Sequence, residues 1–328
     1  MYALDKLKVV MPLESITILN EDRFTIKSQY GHIESRTYTQ QIPVYLYIKI
    51  DYWKSEAVIE FTGKILGNRY EELIRLTNIK QCVDNINSFG IIRIDRDEIS
   101  RAIVVKCDLT IDVDVSYIPA LTSYIKNSIS NYDAYTTKLK RNGNLILEKN
   151  VDTGKCKKRL TIYDKEKEMN MAKNRSFIGK YYNGVNPFVG KCRFELNLFA
   201  QEAIRKSLDI ENTTVWNVLL SARVKNPIRD FLSEILIKNE SNRHIPNVKA
   251  YYYDLVLDDN DNDMKKVYDK FKSLCAKGTK ISRTIAPIQE RLKTRDYTMI
   301  LFSRNKILDM ISSETRISSS DVFGYSSL

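Results

Sequence analysis

Apolar residues recur at two different spacings along this chain, and the change between them falls near residue 200. Before it, short alternating runs dominate. Ile42 to Ile50 reads Ile-Pro-Val-Tyr-Leu-Tyr-Ile-Lys-Ile, apolar and polar in turn, as a half-buried strand does. Ala57 to Phe61 predicts a second strand, closed by Thr62, Gly63 and Lys64. Within residues 70–86, Leu73, Ile74, Ile79, Val83 and Ile86 stand at roughly helical intervals. A long strand is predicted over 102–113, a helix over 118–129, and further strands over 144–147, 160–163 and 192–199. Strands in hairpins with helices between them predict an α+β fold, a central and largely antiparallel β-sheet flanked by helices.

Beyond residue 200 the spacing is helical over 201–208, over 215–237 with an interruption at Pro227, and over 264–274. It is helical again over 287–311, where Pro287 suits a first helical position. The expected organisation is a sheet domain over residues 1–205 followed by an α-helical C-terminal region, 206–328, for DNA binding or oligomerisation. The acidic run Asp258 to Asp263 lacks the glycine and the distal glutamate of a calcium loop and reads as a solvated break. The serine-rich stretch from Ser312 onward reads as a frayed tail.

Composition narrows the class. No apolar run approaches the roughly 18 residues of a membrane span. Five scattered cysteines without CxxC spacing indicate neither a disulfide framework nor a zinc site, so a reduced, cytoplasmic protein is expected. Lysine and arginine number 52 against 41 acids, a net charge of +11, which favours a polyanionic partner because neutralised phosphates release counterions. The charge is placed as well as abundant. Lys138, Lys140 and Arg141 precede one predicted strand, and Lys155, Lys157, Lys158 and Arg159 precede the next, which carries Tyr163.

The run from Arg159 to Glu168 ends that strand in Tyr163, Lys165 and Glu168. A tyrosine hydroxyl can attack a phosphodiester, a lysine can neutralise developing charge, and a carboxylate can hold a polarising metal. Further carboxylates stand among apolar neighbours: Glu60 in one strand, Asp108 and Asp112 four apart in another, Glu195 in a third. Acids on a sheet's core face are costly unless paired or bound to a cation. If these strands are neighbours, Glu60, Asp108, Asp112, Glu168 and Glu195 would form an oxygen-rich pocket suited to a divalent metal, Mg²⁺ or Mn²⁺. With only His32 and His244, two-histidine metal sites and serine–histidine hydrolysis are disfavoured, and no P-loop motif is present.

Taken in order, Ile-Glu-x3-Lys (Glu60, Lys64), Asp-x3-Asp (Asp108, Asp112), Ile-Tyr-Asp-Lys-x2-Glu (Tyr163, Lys165, Glu168) and Arg-Phe-Glu (Arg193, Glu195) resemble the motifs of rolling-circle replication initiators. The closest likeness is to the filamentous-phage replication proteins, with plasmid initiators next, and it covers about residues 40–200. The resemblance implies that Tyr163 nicks and rejoins a DNA strand at a replication origin, leaving a 5′-phosphotyrosyl link and a free 3′-OH. It also implies metal-binding acids on the central sheet. Expected partners are origin DNA, single-stranded or extruded as a hairpin, a host helicase and polymerase, and a second copy of the chain. Expected phosphate contacts are Lys64, Lys138, Lys140, Arg141, Lys155, Lys157, Lys158, Arg159 and Arg193. The chain departs from the family at Lys106-Cys107-Asp108, where Arg-Ile-Asp is usual, and in lacking the plasmid branch's Gly-Ser pair. Two other readings remain open: an endonuclease using water, with Tyr163 merely packing the sheet, and a non-enzymatic origin-binding protein, with residues 215–237 as part of a helix-turn-helix.

Overall fold

The computed structural model describes residues 2–115, 118–129, 135–149, 157–236, 247–260, 263–276, 281–294 and 304–312. The strands are β1 (Ala3–Pro12), β2 (Ile16–Ile18), β3 (Thr25–Gln29), β4 (His32–Gln40), β5 (Leu46–Asp51), β6 (Glu56–Thr62), β7 (Ile92–Ile94), β8 (Ile103–Asp114), β9 (Tyr135–Leu139), β10 (Leu145–Lys149), β11 (Lys158–Asp164) and β12 (Lys191–Leu198). β2 and β7 pair alone. The other ten make one antiparallel sheet in the order β3-β4-β5-β6-β1-β8-β12-β11-β10-β9, so the α+β expectation holds.

Side chains alternate across a strand, and directly opposed residues share a face. One face of the sheet is therefore apolar. Phe61 opposes Leu7, Leu7 opposes Cys107, Leu109 opposes Leu196, Leu196 opposes Leu160, and Ile162 opposes Leu145. Short helices close this face: α2 (Ile118–Asn127), α5 (Gln201–Leu208), α6 (Val215–Ser221), α7 (Pro227–Ile235) and α11 (Arg304–Ser312). They bury Ile125, Ile204, Val218, Phe231 and Ile307 in the same core as the strands. Each such side chain is worth about 1.5–3 kcal/mol when removed from water. The opposite face is polar and carries the acids. Glu60 opposes Lys8, Lys6 opposes Asp108, Asp108 opposes Asn197, Glu195 opposes Thr161, and Arg193 stands between Asp112 and Tyr163.

Several elements depart from the pattern reading. The central strand β1 went unseen because a bulge between Leu4 and Lys6 breaks its alternation. β5 begins at Leu46 rather than Ile42, since Pro43 has no N–H for the ladder. The predicted 70–86 helix is a run of tight 3₁₀ turns over Gly63–Glu72, followed by the true helix α1 (Ile79–Asn87). Pro227 separates α6 from α7 by starting the latter, whose amide at Arg229 donates to the Asn226 side chain at 3.1 Å.

Pro287 lies inside α10 (Ser282–Thr294) instead of opening it. An unpredicted helix, α8 (Val248–Asp258), is capped by Asn247, which accepts from the Ala250 amide at 2.9 Å. With α9 (Met264–Leu274), α8 and α10 enclose a small core of Leu257, Val267 and Ile288. The main hydrophobic core runs past residue 205 to Leu236 and takes in α11. Among the described residues, no helix is long and apolar enough to cross a membrane.

Candidate active site

β11 ends at Asp164, whose carboxylate accepts the Lys167 amide at 2.9 Å and caps α3 (Lys165–Met169). This strand-to-helix turn holds Tyr163 on the polar face and folds Lys165 inward. The Lys165 ammonium is 2% exposed; it donates to the Tyr70 hydroxyl at 2.9 Å and to Glu168 Oε2 at 2.8 Å. Glu168 also accepts from Asn174 Nδ2 at 3.0 Å and pairs with Lys173 at 3.3 Å. Burial alone would raise its pKa, but the charge and hydrogen bond of Lys165 hold it well below the usual carboxylate range. Lys64 donates to Asn174 Oδ1 at 2.6 Å, and burial, helped by the positive charge of Lys165, lowers its pKa to about 8.

These groups line one cleft of about 390 Å³ with Tyr163, Asp5, Tyr45 and Thr62. The Tyr163 hydroxyl donates to Glu195 Oε2 at 3.0 Å, and Asn197 Nδ2 fixes Glu195 Oε1 at 2.7 Å. Asn197 is held in turn by Arg159 Nε, 3.1 Å from its Oδ1. Burial, then the Glu195 charge, push the Tyr163 pKa well above its ordinary value, so the resting hydroxyl is protonated. Asp108 is buried nearby. Desolvation and the Glu195 charge raise its pKa to about 7, and its Oδ1 has no hydrogen-bond partner among the described residues. Asp5 Oδ1 is likewise buried without one.

The five acids named from the sequence share the polar face but not one point. Glu60 is held between Lys6 and Lys8, the latter at 3.2 Å. Asp112 is bound through both oxygens by Arg193, each at 2.6 Å, and Glu168 is taken up by Lys165, Asn174 and Lys173. Asp108 and Glu195 are the two not taken up by a cation, and the Glu195 charge raises the cost of ionising Asp108. Among the described residues, no group of three or more histidines, cysteines or acids is placed to hold a metal. The donor chemistry still suits a hard cation. Mg²⁺ commonly binds through one or two carboxylates plus waters and substrate phosphate, and Asp108 and Asp5 each offer a buried, unpartnered oxygen.

The basic residues divide. Lys64 lines the cleft. Lys140 and Arg141 are exposed at the β9–β10 turn, beside the end of β11 that carries Tyr163, because Leu139 opposes Leu145 and Leu145 opposes Ile162. Lys138 and Arg159 each lie 3.6 Å from Glu148, and Lys157 pairs with Glu202 at 2.6 Å. Two expected phosphate contacts are corrected. Lys158 points to the helix-covered face, its ammonium 5.0 Å from the Phe231 ring centre. Arg193 is 0% exposed and bonded to Asp112, Asp5 and the Tyr70 hydroxyl, so it clamps the interior and cannot reach DNA. Lys155 and His244 lie outside the described residues, and His32 is exposed at the start of β4.

Asp5, Tyr70, Asn174 and Asn197 were missed from the sequence. Only Asp5 left a signal, as an acid between Leu4 and Leu7. No protein-family model matches the chain, and neither does any curated protein.

Proposed function

We propose that this chain cuts and rejoins a DNA strand by tyrosine transesterification, as an initiator of rolling-circle replication. The observation that carries the reading is Tyr163, which lines a lysine-bearing cleft while its hydroxyl donates to Glu195 at 3.0 Å. A nucleophile beside a base that is itself oriented by a third group is the arrangement that activates weak nucleophiles. Here Asn197 is that third group.

In the proposed reaction, Lys64 and Lys173 draw the scissile phosphate into the cleft. The Tyr163 oxygen attacks phosphorus as its proton passes to Glu195. The P–O3′ bond breaks, leaving a 5′-phosphotyrosyl link and a 3′-oxyanion that takes a proton to become the 3′-OH. Lys165, buried between Tyr163 and Glu168, adds positive charge where negative charge develops. The phosphodiester energy is retained, so attack by a free 3′-OH restores the strand without ATP. A divalent cation held by Asp108 and Asp5 would supply Lewis-acid polarisation of the phosphate.

The test is peptide mapping. After incubation with a random-sequence single-stranded pool and Mn²⁺, a nucleotide mass on the tryptic peptide containing Tyr163 is the expected result. Modification of another tyrosine, or cut DNA with no adduct, would overturn the assignment.

A further inference from the structure

The polar face carries a row of aromatic rings and cations that the chemistry above does not use. On β5, Tyr47 opposes Glu60, Glu60 opposes Lys8, and Lys8 opposes Lys106 on β8. The row continues to Phe199, just past the end of β12, whose amide donates to the Lys157 carbonyl. Each ring is matched with a cation. Lys8 stands 5.6 Å from the centre of the Tyr47 ring, and Lys6 stands 4.7 Å from that of Tyr45. Lys106 and Arg159 both lie over Phe199, at 5.2 and 5.0 Å.

Tyr45, Tyr47 and Phe199 are half-buried, and so are the four cations. Lys6, Lys8, Lys106 and Arg159 outnumber the acids on or next to these rows, Glu60, Asp108 and Glu148, so the band is net positive. It crosses the sheet from β5 to β11. At about 4.8 Å between strands that is roughly 24 Å, enough for about seven stacked nucleotides at 3.4 Å each. One end reaches the cleft through Tyr45. The other ends at Arg159, which holds Asn197 and through it Glu195.

We infer that this row is a track for an unpaired DNA strand, with Tyr47 and Phe199 as base-stacking platforms and Lys6, Lys8, Lys106 and Arg159 along the phosphates. Rings interleaved with cations fit a single strand better than a duplex. Every unpaired base has a face to stack, whereas a duplex keeps its base faces stacked inside and presents its backbone and the base edges in its grooves. The track rests on DNA being the substrate but is independent of the role given to Tyr163.

The experiment is fluorescence anisotropy with a labelled oligothymidine and a duplex of matched length, using the full chain carrying Tyr163→Phe in EDTA, so that neither tyrosine attack nor metal-dependent hydrolysis cuts the probe. Adding Tyr47→Ala and Phe199→Ala together should weaken single-strand binding by about 30-fold or more, since each stacked base contributes a sizeable share of affinity. Duplex affinity should change by less than about threefold. Tyr47→Phe with Phe199→Tyr keeps both rings and should bind within about twofold of the parent, which separates lost stacking from misfolding. Replacing Lys8 and Lys106 by Ala should lower the salt dependence of single-strand binding by about 0.7 per residue. Unchanged single-strand affinity in an alanine variant with a native melting profile would overturn the track, as would an equal loss on duplex and single strand. Absence of any covalent adduct from the wild type, with the anisotropy result intact, would remove the nicking chemistry and leave the track standing.

Discussion

Arg193 offers the sharpest test of how the site is built. Its guanidinium is wholly buried, with Nε and Nη2 at 2.6 Å from the two Asp112 oxygens and Nη1 at 2.8 Å from Asp5 and 3.0 Å from the Tyr70 hydroxyl. Arg193→Met fills much of the same volume but strands two carboxylates that are themselves only 14–15% exposed. Removing one partner of a buried ion pair typically costs about 3–5 kcal/mol, because the remaining charge is left desolvated. At roughly 2 °C per kcal/mol for a chain of this size, Tm should fall by about 6–10 °C.

Arg193→Lys keeps the charge but not the two-pronged geometry, and should recover only part of the loss. Arg193→Met combined with Asp112→Leu should be more stable than Arg193→Met alone, since one stranded charge is gone. Thermal and urea denaturation followed by circular dichroism and by tryptophan fluorescence would measure all three. A loss below about 1 kcal/mol for Arg193→Met would refute the clamp.

Three further outcomes follow from the same geometry. Asp108 has a folded-state pKa raised from 3.8 to about 7, so its contribution to stability is present below about pH 4 and lost as pH rises through 7. Asp108→Asn should therefore melt above the wild type at pH 8, with the gap closing towards pH 4, and Mg²⁺ should stabilise the wild type more than the variant; a gap independent of pH would contradict this. Lys64 has its pKa lowered to about 8 by burial, so any DNA cleavage that needs its charge should decline as pH rises through 8, and Lys64→Arg should extend activity to higher pH. Gly67 sits at φ 63° and ψ −120°, where an added Cβ would lie 2.8 Å from the Tyr181 ring. Gly67→Ala should cost about 1–3 kcal/mol in urea denaturation, and a neutral result would contradict the strain.

Much of the sheet was legible because its strands alternate cleanly. Ala57 to Phe61, 102–113 and 192–199 each lie within two residues of β6, β8 and β12. The sharing of one face by Asp108 and Asp112 followed from the same period of two. What failed was where a local feature overrides the period. A bulge hid β1, and with it Asp5, and a proline shortened β5. Which acids would be free was not legible, because that depends on cross-strand register: Lys6 and Lys8 reach Glu60, and Arg193 reaches Asp112, only once β1, β6, β8 and β12 are aligned. Lysine clusters misled for the same reason, since Lys157, Lys158 and Arg159 cannot all point one way along a strand. Asn174 and Asn197 act through single hydrogen bonds and leave no pattern at all.

The most direct test of the central claim is a denaturing protein gel of wild type and Tyr163→Phe after incubation with single-stranded DNA and Mg²⁺ or Mn²⁺. If Tyr163 is the nucleophile, the wild type gives a shifted band that survives nuclease and vanishes in EDTA, while the variant gives none and still binds DNA. A shifted band in Tyr163→Phe, or cleavage by that variant at the wild-type rate, would contradict it.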